Sequence, residues 1–369
     1  MIIYNANQET LAEYILKKNK KIVLYGAGAV CKTFVPYYLL LHGLSDRVLF
    51  VVDSNVNKHG SCVDIGEKSV YVKGIDELKK CREDYCILIT NGDFYSSIKQ
   101  LEGLEDLDQT EVFLMAVIQM QRKYANEVSV FKDFEKPVIP KVINYCWFSG
   151  NPIPDNLKRC IESWNKICPD YEIIEWNERN YDISKTNYTK EAFEHEKWAF
   201  IPDIARLDIL YNHGGFYFDT DVRIIKNLEE LRYQEAFCAR ERGGHVNFGS
   251  GSGCIKGNPV IKKILDFRKD EPFILPNGGF NTEASGYFET KPLMDMGLEI
   301  EDVNQKLNGI NIYSSVYFSP YNFINGEDIS NEKTFSIHYF KASWVENGDL
   351  ARKETREKYN EVVQSLKEI

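Results

Sequence analysis

Pro137 and Pro140, in "EKPVIP", interrupt any regular element, and an apolar strand, "KVINYCWF", begins directly after them. This punctuation constrains the fold strongly, because both flanks mix strand-like and helix-like stretches and neither is a mere tail. Upstream, from Lys21, come a strand "KIVLYGAGAV", a helix, a strand "RVLFVVDS", a helix "IDELKKC" and a strand "CILITNG". Such alternation is the signature of a parallel α/β sheet. We expect a first domain over residues 1–134 and a second over 135–369.

In the second half, Leu157, Ile161, Trp164 and Ile167 of "NLKRCIESWNKI" fall at spacings of three or four, as one buried helical face requires, and "YEIIEW" reads as the next strand. At the far end, Tyr359, Val362, Val363, Leu366 and Ile369 form a helical stripe, expected to cap a core as part of the second domain. With 369 residues, 43% of them hydrophobic, the chain has material for two domains of ordinary size. A formal charge of −10 without a basic stripe excludes a general nucleic-acid surface. The nine cysteines are odd in number and scattered without a C-x-x-C pair, which excludes the usual structural zinc site and favours buried thiols. No apolar run approaches the roughly 18 residues that span a bilayer, and the N-terminal stretch lacks a signal-like core, so a cytoplasmic protein is expected.

The chemistry centres on "GGFYFDTDV". Asp219 and Asp221 leave an aromatic, buried strand at a turn, whereas a second D-x-D, Asp106-Leu107-Asp108, sits in a polar stretch. Two carboxylates one residue apart suit Mg²⁺ or Mn²⁺, which take oxygen ligands and keep positions for phosphate oxygens; an Asx-type turn is the bland alternative. Asp203 and Arg206 lie three apart behind Pro202, on one face if the proline opens a helix, and could equally form a simple intrahelical ion pair; Asp208 could cap or brace that helix. Tyr145 and Trp147 alternate on a strand and point to one side, toward a ligand or into the core. "HVNFGSGSGCIKGNP" lacks the lysine and hydroxyl residue of a phosphate loop, so it is expected to line an acceptor. In the first half, Gly26-Ala27-Gly28 after a strand and Asp53 at the end of the next suggest a dinucleotide fingerprint, but Cys31 occupies the place of its third glycine. A scaffold and a nucleotide pocket both remain open there.

The stretches "PKVINYCWFSGNPIPDNLKRCIESWNKICPDYEIIEWNERNYDI", "FIPDIARLDILYNHGGFYFDTDV" and "IHYFKASW" closely resemble glycosyltransferase family 32, the DXD sugar-binding-region family of capsular and lipopolysaccharide transferases. The first half loosely resembles the Rossmann-like domain of nucleotide-sugar-handling acyltransferases. Together these resemblances imply an α/β chain with an N-terminal Rossmann-like parallel-sheet domain followed by a GT-A-like nucleotide-sugar-binding domain. They imply that Tyr145 and Trp147 meet the nucleotide base and that Asp203 and Arg206 hold donor-sugar hydroxyls. They also place Asp219, Asp221 and His338 on a metal, Ser343 and Trp344 on the diphosphate and Asn247 on the acceptor side. Many relatives carry histidine where this chain has Asn144.

The implied activity is metal-dependent, retaining transfer of a hexose from a UDP-sugar to a cell-surface saccharide, lipid-linked at the inner membrane face, with peripheral membrane contact and an N-terminal domain available for self-association. Two other classes stay in view. A nicotinamide oxidoreductase would use Gly26, Gly28 and Asp53, and a silent nucleotide-sugar-binding protein would keep the pocket without turnover.

Overall fold

The computed structural model describes the chain except residues 106, 122–128 and 341–347 and the side chains of 348–352. It divides into two compact units, one formed by Met1–Lys123 with Glu354–Ile369 and the other by Tyr124–Lys353.

The first unit contains strands β1 (Ile2–Asn5), β2 (Lys21–Tyr25), β3 (Val48–Val52), β4 (Cys62–Ile65), β5 (Lys68–Lys73), β6 (Tyr85–Ile89) and β7 (Glu111–Leu114). A short C-terminal strand, Lys367–Glu368, completes the sheet in the order C-terminal strand, β1, β7, β6, β2, β3, β5, β4. Every neighbouring pair is parallel except β4 with β5. Ile22, Val23 and Leu24 of β2 and Ile87, Leu88 and Ile89 of β6 are all buried. Continuous rather than alternating burial is what a parallel strand covered on both faces demands. The segment Ile75–Lys80, expected as a helix, is a short 3₁₀ helix in which Leu78 alone is buried. One apolar anchor in six residues gives an α-helix no face to pack, and the tighter turn suffices.

The C-terminal stripe caps the first unit, not the second as expected. Tyr359 and Val362 are buried, with the Tyr359 ring edge-on to Phe94 at 5.9 Å, while Ile369 is exposed. Helical spacing specifies that a face is covered; it does not specify by which core. The boundary also moves. Asp133 and Phe134 donate their backbone N–H groups to Tyr233 O, and Val138 and Ile139 donate to Arg232 O, so the proline-bearing segment is already bonded into the second unit.

That unit contains β8 (Val142–Cys146), β9 (Glu172–Trp176), β10 (Gly215–Tyr217), β11 (Val222–Ile224), β12 (Ala236–Arg240), β13 (Val246–Cys254), β14 (Gln305–Leu307), β15 (Ile310–Tyr313) and β16 (Ser336–His338). Seven of these form a mixed sheet in the order β14, β15, β12, β13, β10, β8, β9, and β11 pairs separately with β16. Trp164, Phe216, Phe218, Phe237, Tyr313, Phe318 and Phe335 fill its core, each removing an aromatic surface from water that contributes on the order of 1.5–3 kcal/mol. The helix Asp155–Ile167 buries Leu157, Cys160 and Trp164, and the Trp164 indole donates to Val222 O at 2.8 Å. Helix packing thus pins the strand that leaves the acidic turn. Seven of the nine cysteines are buried, and none forms a disulfide.

Candidate functional site

A helix runs Pro202–His213 with the proline in its first turn, where a missing N–H costs nothing. It ends on Gly214, and Gly215 follows at φ +89°, where an added Cβ would lie 2.7 Å from Val142 O. Two glycines therefore let the chain swing from helix into β10, between β8 and β13. Asn144 fastens the same corner: its side chain donates to Gly214 O and Phe216 O and accepts from the Trp176 indole at 2.9 Å.

Beyond β10, Phe218 N donates to Asn144 O and Asp219 N to Gly249 O at 2.8 Å, and Val222 N closes a turn on Asp219 O at 3.0 Å. β11 then pairs antiparallel with β16, Val222 opposite His338. This register brings the C-terminal histidine beside the acidic turn. Ligand atoms of Asp219, Asp221 and His338 all lie within 4.8 Å of one another, and His338 Nε2 is 3.1 Å from Asp221 Oδ1. The other ring nitrogen, Nδ1, is bonded to Ser250 Oγ at 2.7 Å, and the Phe340 ring stacks on the imidazole. Burial works to lower the His338 pKa, but Asp221, Asp219 and Glu241 outweigh it and the net direction is upward.

This donor set fits a divalent cation. Carboxylates and imidazole are both common ligands of divalent cations, and the bond between Ser250 and Nδ1 leaves Nε2 facing the carboxylates, as an outer-shell partner of a ligating histidine does.

Arg206 links the turn to the helix. Its guanidinium donates to Asp203 Oδ1, lies 3.6 Å from Asp219 Oδ2 and 3.8 Å from Glu289 Oε1, and its Nε donates to Pro202 O at 3.0 Å. The intrahelical ion pair anticipated as a bland alternative is therefore present, and it also abuts the acidic turn. Burial opposes the Arg206 charge, but Asp219, Glu289 and Asp203 hold its pKa well above the usual value. Arg206 Nη1 and Glu289 Oε1 are buried without hydrogen-bond partners. Gly249 makes this approach possible, because an added Cβ there would overlap the Asp219 carboxylate and Arg206 Nη1. The glycine-rich segment is accordingly a fully buried strand, β13. Asn247 donates to Glu241 Oε1 and accepts from the Gly249 and Ser250 amides at 2.8 and 3.2 Å.

The other expected site residues fall as follows. Tyr145 lies in the aromatic core, edge-on to Trp164, and its hydroxyl donates to Glu175 Oε2 at 2.7 Å. Trp147 is half-buried, with its indole donating to Asn151 O at 2.6 Å. Asp208 braces the helix through Lys185 and Asn212. Ser343 and Trp344 lie outside the described residues, as does Asp106. Sequence reasoning missed Glu241, Arg268 and Glu289, which belong to no motif, and did not single out Ser250 within the glycine-rich segment. In the first unit, Asp53 accepts from the Ala27 and Asn55 amides at 2.7 and 2.8 Å and pairs with Lys58 at 3.3 Å.

Among the described residues no helix is long and apolar enough to cross a membrane. Residues 154–238, which include Asp203, Arg206, Asp219 and Asp221, match the family described as "Glycosyltransferase sugar-binding region containing DXD motif". Over 135 residues the chain is 26% identical to inositol phosphoceramide mannosyltransferase 3 of Schizosaccharomyces pombe, a match covering 36% of this chain and 37% of that protein. Over 224 residues it is 27% identical to an uncharacterized glycosyltransferase of Acanthamoeba polyphaga mimivirus, covering 58% of this chain and 87% of the relative. It thus spans little more than a third of the length of the fission-yeast relative. Among solved structures, PaToxG glycosyltransferase is similar at 19% identity and a TM-score of 0.36, over 44% of this chain and 71% of that one. The residues that match the DXD-motif family all lie within the second unit.

Proposed function

We propose that the chain is a metal-dependent, retaining glycosyltransferase of the family 32 type, with a Rossmann-like first domain and a GT-A-like second, moving a hexose from a UDP-sugar to a cell-surface saccharide. The observation that carries this reading is the meeting of two clusters at one turn: Asp219, Asp221 and His338 on one side, and the buried Asp203–Arg206 pair on the other. A divalent cation held by the first cluster would offset the negative charge that grows on a departing diphosphate. Asp203 and Arg206 supply fixed acceptors and donors for sugar hydroxyls, in a region where burial strengthens each bond. Asp219, a quarter exposed, is placed to serve both clusters. Trp147 is the ring left to stack on a nucleotide base, since the Tyr145 hydroxyl is already engaged with Glu175. Asn247 orders the Gly249 and Ser250 amides and lies toward the acceptor, and Ser343 and Trp344 would meet the diphosphate. Retention rests on the motif resemblance. The acceptor is lipid-linked in this reading, with the protein cytoplasmic and peripheral at the membrane.

The first unit is in this reading a scaffold or assembly domain, available for self-association, with a structural rather than a chemical role. Asp53 supports that view, because the oxygens a ribose would need are already bonded to Ala27, Asn55 and Lys58. The test is a screen of UDP-hexoses, with GDP-mannose included because a relative is named a mannosyltransferase, for nucleotide release with Mn²⁺, with Mg²⁺ and with chelator. Release only with a metal is the expected result. Release indifferent to chelator overturns the metal role, and tight NADH binding would favour an oxidoreductase.

A further inference from the structure

Two later helices converge behind Asp203 and Arg206 of the helix Pro202–His213. Arg268 closes the helix Pro259–Arg268, and Glu289 sits inside the helix Ser285–Met294. Both side chains are 0% exposed, so neither can touch a ligand directly. Arg268 lies with its guanidinium between the Tyr188 and Phe288 rings, 4.7 and 4.4 Å from their centroids, and reaches Asp203 Oδ2 at 3.4 Å. Glu289 accepts from Phe248 N at 2.8 Å through one oxygen and faces Arg206 at 3.8 Å with the other. Each member of the Asp203–Arg206 pair therefore has an opposite charge behind it. Once Glu289 is ionised, above its raised pKa of about 8, the four formal charges cancel.

Taking the proposed transferase reading as its basis, we propose that Arg268 and Glu289 are positioning residues for the donor sugar, Arg268 fixing the Asp203 carboxylate and Glu289 fixing the Arg206 guanidinium. The physical need is plain. A lone Asp–Arg pair would collapse into its own fork-to-fork contact, turning inward the atoms a sugar hydroxyl must meet. Backing charges divide each group's attraction between two partners. Asp203 bonds Arg206 with one oxygen and Arg268 with the other, and Arg206 is shared among Asp203, Asp219 and Glu289. Buried charges placed this way are costly unless paired, so the quartet has to be kept or lost as a unit. The aromatic clamp on Arg268 restricts it to this use.

The test uses the full-length protein above pH 8, where the Glu289 carboxyl is ionised. Glu289→Gln keeps the shape and an acceptor for Phe248 N but removes the charge behind Arg206, and Arg268→Met removes the charge behind Asp203. Selective ¹⁵N labelling of arginine should show the Arg206 Nε–H resonance moving in each variant, whether or not a substrate is known. With a donor that the wild type turns over, each variant should raise donor KM about 10-fold or more while kcat and the affinity for free UDP change less than about 3-fold. The double variant, neutral again, should raise KM by less than the product of the two. If Arg268→Met does not fold, Arg268→Lys, which keeps the charge and loses the planar fork, takes its place. Unmoved Arg206 resonances in both variants, or an unchanged donor KM, would overturn the assignment. If the wild type turns over no donor, the transferase reading falls, and the resonance measurement still decides whether Arg268 and Glu289 hold the pair.

Discussion

The two units each end a strand on an aspartate beside a glycine, and the two aspartates are used in opposite ways. Asp53, after β3, gives its carboxylate to the amides of Ala27 and Asn55 and to Lys58, and so ties the Gly26 loop to the following turn. Asp219, after β10, faces Arg206 across 3.6 Å, beside a guanidinium nitrogen that has no hydrogen-bond partner. A carboxylate bonded to its own backbone is stabilising the loop it belongs to. One held in place by neighbours, with capacity left over, is prepared for something that arrives later.

The hardest blow to this contrast is Asp221→Asn. It exchanges charge more than shape, so the fold should survive, while on the proposed function the loss of a carboxylate that holds the metal should remove about 3 kcal/mol or more of transition-state stabilisation, at least about 100-fold in turnover. Metal-dependent nucleotide release with a saturating donor that the wild type uses measures it, and wild-type activity in the variant would sink the assignment. Next comes Gly249→Ala, whose Cβ would overlap Asp219 and Arg206, against Gly28→Ala, whose Cβ meets nothing within 4 Å. The first should lower turnover by about 10-fold or more, corresponding to about 1.4 kcal/mol, and the second should leave it unchanged.

Glu289 sharpens the comparison through pH. Burial lifts its carboxyl to about 8 from 4.5, against the pull of Arg206 and Arg268 and a bond from Phe248. A carboxyl with a raised folded-state pKa holds its proton more tightly in the native state. Its contribution to stability is fully present below about 4.5 and is lost as pH rises through about 8, with a slope of up to ~1.4 kcal/mol per pH unit. Denaturant unfolding across that window should show a smaller slope for Glu289→Gln, and parallel curves would refute the shift. Last is Asp53→Asn, which keeps one acceptor and loses the Lys58 pair. Stability should fall by about 1 kcal/mol, with nucleotide release untouched. Loss of activity in a folded Asp53→Asn protein would make the first unit a participant in the chemistry.

Much of the architecture was legible because it rests on local pattern. Continuous apolar runs mark β2 and β6, and Pro202 marks the start of the helix that carries Asp203 and Arg206. The turn at Asp219 and the distant His338 could be associated only through the resemblance, since their meeting depends on the β11–β16 register. Arg268 and Glu289 had no signal at all: they reach the site from helices that come together only through tertiary packing. β13 was obscured by its glycines, which disfavour a strand intrinsically. It forms because Phe237, Phe318 and Asp219 occupy the space its side chains would fill.

The pairing of Lys367–Glu368 with β1 has a consequence in time. The first unit combines residues 1–123 with residues 354–369, so the strand Lys367–Glu368 and the helix carrying Tyr359 leave the ribosome only after about 230 residues of the second unit have been made. At roughly 5–20 residues per second that interval is tens of seconds. Throughout it the outer edge of β1 has no neighbour and Phe94 lacks the Tyr359 ring. An unpaired strand edge beside uncovered apolar surface is a template for association with other chains. Nascent chains should therefore be most vulnerable to aggregation until residues 354–369 emerge, and removing those residues would make that passing state permanent.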